Sequence, residues 1–152
     1  ASKNKASVLV DYPNCNNKID LFKKIKKKIN SEFFLSNIGN NHLCIKMNSI
    51  EKVDLILIYQ DLKKLIKKFD INLSIFKKTK ASVDIRTYEN GVGETLSCGS
   101  ASLSVASHYL NKGFKSMKIS SMGGDLIFRD VKDGILMTGP TSFSYEGNVN
   151  ES

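Results

Sequence analysis

Arginine is all but missing from this chain. Of its 23 basic residues only Arg86 and Arg129 are arginines; the others are lysines, dispersed mainly through two helix-like stretches. Arginine is the usual bidentate reader of phosphates and base edges, so a net charge of +8 carried by scattered lysine argues against a dedicated nucleic-acid role. The three cysteines are odd in number and lack paired spacing, which excludes a disulfide framework and a zinc site. No apolar run approaches the length of a membrane span and no signal peptide is visible, so no membrane partner is expected. A reducing cytoplasm fits best, and it would keep a working thiol reduced. The chain opens Ala1-Ser2 without methionine, which points to a processed start or a piece of a longer protein. Its 152 residues suffice for one ordinary domain with a buried core.

What is present concentrates between Tyr88 and Ser100. Val83, Ile85 and Thr87 alternate with Asp84, Arg86 and Tyr88, a strand pattern that enters a loop holding Gly91 and Gly93. The loop delivers Cys98, Gly99 and Ser100 to the start of a helix-like run, Ala101 to Leu110. A cysteine at a helix N-terminus meets unsatisfied N–H groups and the positive end of the helix dipole, both of which favour thiolate. The same N–H groups can hold a carboxylate. A tuned thiol beside an anion cradle is what proton transfer at the α-carbon of an amino acid requires.

The remaining chain reads as short strands around helices. Ser7–Val10 is a strand candidate, and Ile19, Phe22, Ile25 and Ile29 recur at helical spacing. Phe33–Leu35 begins a strand that leads into the polar turn Gly39-Asn-Asn-His42, and Leu43, Ile45 and Met47 alternate after it. Val53–Tyr59 is apolar and β-branched; Leu62, Leu65, Ile66 and Phe69 then mark a second amphipathic helix. Ile71–Phe76 and Ala81–Tyr88 form a strand pair around Lys77–Lys80. Strands at Lys118–Ser120, Leu126–Phe128, Ile135–Met137 and Phe143–Tyr145 complete the set. The run from Ala101 to Ser107 is small or apolar on every side, so its helix is expected to be central and buried. Cys15, among turn-forming asparagines, and Cys44, in an apolar strand, read as structural. His108, within the helix, reads as a core or surface residue.

Taken together, Arg86-Thr-Tyr-Glu89, Gly91-Val-Gly-Glu-Thr95 and Cys98-Gly-Ser100 resemble the C-terminal half of diaminopimelate epimerase. The likeness extends to Gly39-Asn-Asn-His42, where the family usually has Gly-Asn-Pro-His, to Gly123-Gly-Asp-Leu126 and to Met137-Thr-Gly-Pro140. It runs in the family's order from about residue 8 to the end. The resemblance implies an α/β (α+β) fold with a barrel-like mixed sheet around a central buried helix, and residues 1–152 as a single domain equivalent to that half. It implies interconversion of LL- and meso-diaminopimelate, a step toward lysine and peptidoglycan precursors, by two cysteines and no cofactor. One thiolate removes the α-proton and the opposite thiol returns a proton to the other face.

Carried over by position, Cys98 takes the place of the C-terminal catalytic cysteine. Gly99 and Ser100 take that of the backbone donors to the reacting α-carboxylate. Asn40 and Asn72 match substrate-binding asparagines, while His42 and Glu89 match groups that tune the cysteines, Glu89 also lying in the substrate set. Asn90 stands where the family usually has an arginine that grips a substrate carboxylate, and an amide does not replace a bidentate guanidinium. The half that carries the second cysteine is the partner implied, with a homodimer as the other source of that thiol. Two rival readings remain: a related racemase or isomerase with another amino-acid substrate, and a non-catalytic binding domain on the same fold.

Overall fold

The computed structural model describes residues 4–14 and 19–140; Cys15 and the strand expected at Phe143–Tyr145 lie outside them. In chain order the elements are β1 (Lys5–Val10), α1 (Ile19–Lys26), β2 (Phe33–Asn37), β3 (Asn41–Lys46), α2 (Leu55–Phe69), β4 (Ile71–Lys78), β5 (Ser82–Glu89) and β6 (Gly93–Thr95). Then follow α3 (Gly99–Leu110), β7 (Ser116–Ser121), β8 (Gly124–Val131) and β9 (Gly134–Pro140). The strands join in one mixed sheet, ordered β1-β9-β8-β7-β5-β4-β3-β2, with β6 paired to β5. Two neighbouring pairs are parallel, β3 with β4 and β5 with β7. Each needs a crossover, supplied by α2 and α3 respectively.

Strand alternation divides the interior into two cores. Cys44, Phe76, Val83 and Ile85 point to one face of the sheet and pack with α3 and the inward residues of β7, β8 and β9. Leu43, Ile45, Leu73 and Ile75 point to the other face and pack with α1 and α2. Because β3 and β4 are covered on both sides, His42 to Ile45 and Leu73 to Phe76 are all buried, as in a strand between two layers. Each fully buried Leu, Ile or Phe stabilises the fold by about 1.5–3 kcal/mol relative to exposure.

Every residue of α3 except His108 is buried. Its small residues allow the sheet to close in, and a buried hydrogen bond, Ser36 Oγ donating to Ser104 Oγ at 2.9 Å, ties it to β2. The sheet curves over the helix as the sequence implies, but it does not close into a barrel. β1 and β2 are the two ends of the strand path, and among the described residues a single isolated bridge, between Asn14 and Asn37, reaches across. With α1 and α2 packed on the outer face of β2–β4, that part of the sheet is a filled layer rather than a barrel wall. The apolar stretch at Val53–Tyr59 also resolves differently: α2 starts at Leu55, because Asp54 caps it by accepting from the N–H groups of Ile56 and Leu57. Among the described residues, no helix is long and apolar enough to cross a membrane.

Candidate active site

The end of β5 begins the site. Its ladder with β6 pairs Glu89 with Gly93 across a tight loop, in which Gly91 adopts φ 82°, a left-handed conformation that glycine takes without a steric cost. The short β6 then leads to Cys98, the N-cap of α3, which is only 3% exposed. Cys98 Sγ lies 3.4 Å from Ser100 Oγ. The first intrahelical bond runs from Ser102 N–H to the Cys98 carbonyl at 3.0 Å, and among the described residues the N–H groups of Gly99, Ser100 and Ala101 have no acceptor. All three residues are buried. Unspent buried donors favour an anion set against them.

Three other sequence-predicted residues arrive on the same side of the sheet. His42 shares the face of Cys44, Asn72 that of Phe76, and Glu89 that of Ile85, by the twofold alternation of a strand. That is the face α3 packs on. The register sets His42 beside Asn72, and the Leu73–Tyr88 pair puts Asn72 and Glu89 at one end of the β4–β5 ladder. The loop between β5 and β6 closes over this end through the Asn90 N–H, which donates to Asn72 Oδ1 at 2.9 Å.

The partners of these groups qualify what the sequence implied. Glu89 Oε2 accepts from Thr95 Oγ1 at 2.7 Å, a contact inside the Gly-Val-Gly-Glu-Thr motif. Asn72 uses its amide oxygen on the loop, leaving its amino group to donate elsewhere. Asn90 turns its amide to Asp70, donating to Oδ1 at 2.6 Å. Asp70, the C-cap of α2, is the described non-glycine residue with a left-handed backbone, at φ 51°. Hydrophobic periodicity does not single it out, although aspartate is enriched among non-glycine residues with that conformation. Asn40 sits half-buried in the β2–β3 turn, its carbonyl accepting from Ile38 N–H at 3.1 Å.

His42 is fully buried, and neither ring nitrogen has a hydrogen-bond partner among the described residues. Desolvation pushes its imidazole down to about 4, so it is neutral at physiological pH. It lines a cavity of about 230 Å³ together with Ser36, Asn37 and Asn41; among the described residues Cys98 is not part of that lining. Arg86, the arginine of the strand that leads into the site, is spent elsewhere. It forks onto the Glu94 carboxylate at 2.7 and 2.9 Å and donates to the carbonyls of Ile50 and Val53. Among the described residues, no cluster of side chains could hold a metal ion. Cys44 lies in the middle of β3, wholly inside the α3 core.

The chain is similar to known diaminopimelate epimerases. Diaminopimelate epimerase from Methanocella arvoryzae is 33% identical over 119 residues, covering 75% of this chain and 42% of that one. The enzyme of the same name from Methanococcus maripaludis is 30% identical over 131 residues, covering 78% and 45%. That from Buchnera aphidicola is 30% identical over 138 residues, covering 86% and 47%. The chain thus spans somewhat under half the length of the curated relatives it matches. A crystal structure of a putative phenazine biosynthesis PhzC/PhzF protein from Clostridium difficile shares the fold. It aligns with a TM-score of 0.58 at 16% identity over 97% of this chain and 57% of the other. The sequence model of the family described as Diaminopimelate epimerase matches residues 34–144, from β2 to beyond β9 and through every element that builds the Cys98 end of α3, and the chain belongs to that family.

Proposed function

We propose that this chain is the C-terminal half of a diaminopimelate epimerase, in which Cys98 is one of two acid/base groups at the α-carbon. The observation that carries the reading is Cys98 as N-cap of a buried helix whose first N–H groups are unspent among the described residues. An α-proton is very weakly acidic, so its removal depends on fixed donors that stabilise charge developing on the adjoining carboxylate. Gly99 and Ser100 supply those donors. The Cys98 thiolate, favoured by the helix end, takes the proton and becomes a thiol, while the electron pair left on carbon spreads into the bound carboxylate. A thiol on the opposite face then gives carbon its proton and becomes the thiolate. No electrons are gained or lost, and no cofactor is needed. His42 and Glu89 act on this exchange by fixing the polarity around it, and Asn40 and Asn72 orient the amino acid.

One carbon has two faces, and Cys98 can occupy one. The chain therefore works with a second half that carries its own cysteine, in keeping with the share of the relatives it spans. The test is solvent exchange. Diaminopimelate in deuterated water is incubated with the chain plus the N-terminal half of a relative, and α-deuterium is read by mass spectrometry. Incorporation lost in Cys98→Ser supports the reading. Binding without exchange, in a mixture shown to assemble, would instead favour a non-catalytic binding domain.

A second reading has a specific observation behind it. Asn90, where an arginine would grip a carboxylate, gives its amide to Asp70. An epimerase or racemase for another amino acid would fit such a position, and the same exchange assay with a substrate panel separates the two.

A further inference from the structure

Among the described residues, Arg86 and His42 bring no free positive charge to the rim of the site. Arg86 is committed to Glu94 and two carbonyls, and His42 is neutral. In place of a cation the rim carries the Asp70–Asn90 pair. Asp70 directly precedes β4, two residues before Asn72. Asn90 joins both, its backbone N–H to Asn72 Oδ1 and its side-chain amide to Asp70 Oδ1. The Asp70 carboxylate is thereby held in place relative to a residue of the site, on an unusual backbone that the helix cap enforces. Among the described residues Asp70 forms no ion pair. The nearest cations in sequence are Lys67 and Lys68 on the last turn of α2, and the Lys68 ammonium lies 5.5 Å from the Phe69 ring centre. A fixed carboxylate with unused acceptor capacity selects for a cation.

From this we infer that Asp70, positioned by Asn90, is a specificity-determining residue that reads an ammonium at the far end of the substrate. The inference rests on the proposed amino-acid site at Cys98. Diaminopimelate carries both an ammonium and a carboxylate at its distal carbon, so a site can grip either. An arginine after Glu89 would take the carboxylate; the Asp70–Asn90 pair takes the ammonium, and the distal carboxylate becomes dispensable.

The experiment titrates the 152-residue chain, assembled with the N-terminal half of a relative, with three probes and follows the backbone amide signals of Gly99, Ser100 and Asn90 by NMR. The probes are diaminopimelate, L-lysine (which lacks only the distal carboxylate) and 2-aminopimelate (which lacks only the distal ammonium). Losing the ammonium should weaken binding about tenfold at low salt, and losing the carboxylate less than about threefold. Asp70→Asn should erase the ammonium preference. Asparagine tolerates the left-handed backbone and still accepts from Asn90, so this variant keeps the fold. If 2-aminopimelate binds within about threefold of diaminopimelate, or if the preference survives Asp70→Asn, the inference is wrong while the amino-acid site stands. If no probe moves Gly99 or Ser100, the amino-acid site itself is wrong, and the role of Asp70 falls with it.

Discussion

His42 shows what burial does to a single titratable group. Its folded-state pKa of about 4 lies below the ordinary histidine value of 6.5, so between those limits the unfolded chain binds a proton that the folded chain refuses. Stability is therefore intact above pH 6.5 and falls as the pH drops toward 4, by at most about 3 kcal/mol. Urea unfolding across that range should show the decline, and His42→Leu should reduce it, His108, also pushed down by burial, leaving a remainder of the same sign; an unchanged slope in the variant would assign the effect to other groups. The thiols differ for a positional reason. Cys98 caps a helix, whereas Cys44 is sealed in the middle of β3 at zero exposure. Carbamidomethylation followed peptide by peptide should find Cys98 at least about tenfold faster in the folded protein. Faster labelling of Cys44 would contradict the assignment. The position of Cys98 could be read from sequence, because a loop, a cysteine and a charge-free helix lie within one short segment. The contact between Asn90 and Asp70 could not, since it joins residues 20 apart that only the β4–β5 pairing brings together.

Two helices illustrate how far periodicity carries. Freedom from charge on every side of α3 predicted burial, and the helix is enclosed apart from His108, whose ring stacks on Phe34 at 4.3 Å. Its small side chains are buried against the sheet. Ala106, fully buried, should not admit leucine: Ala106→Leu is expected to cost about 1–3 kcal/mol and lower the melting temperature. A neutral result would mean the sheet is packed less closely than the structure has it. The start of α2 was harder to place. Val53–Tyr59 is as apolar and β-branched as a strand, and Asp54 decides the matter by capping the helix just before Leu55. Asp54→Ala should cost about 1 kcal/mol, measured by chemical unfolding, and Asp54→Asn should recover most of it. Sheet closure was beyond the reach of pattern alone. Alternation assigns faces to strands, but whether the two ends of a strand path meet depends on what covers the outer face, here α1 and α2.

At the scale of the molecule, the described residues build one mixed sheet with α3 buried on one face and α1 and α2 on the other, and both cores are made of these elements. Such a unit is expected to fold by itself. The chemistry proposed for it is incomplete by itself, because inversion needs a donor and an acceptor on opposite faces of one carbon and the proposal gives Cys98 one of these two roles. The most direct measurement is the rate of diaminopimelate inversion by the highly purified chain as a function of its concentration, with Cys98→Ser and Cys44→Ser alongside. The half-enzyme account predicts no inversion at any concentration and turnover only when a half bearing the second cysteine is added. Inversion by the chain alone, rising steeply with concentration and lost in Cys98→Ser, would contradict it and make the chain a self-sufficient dimer with Cys98 from each copy across one cleft.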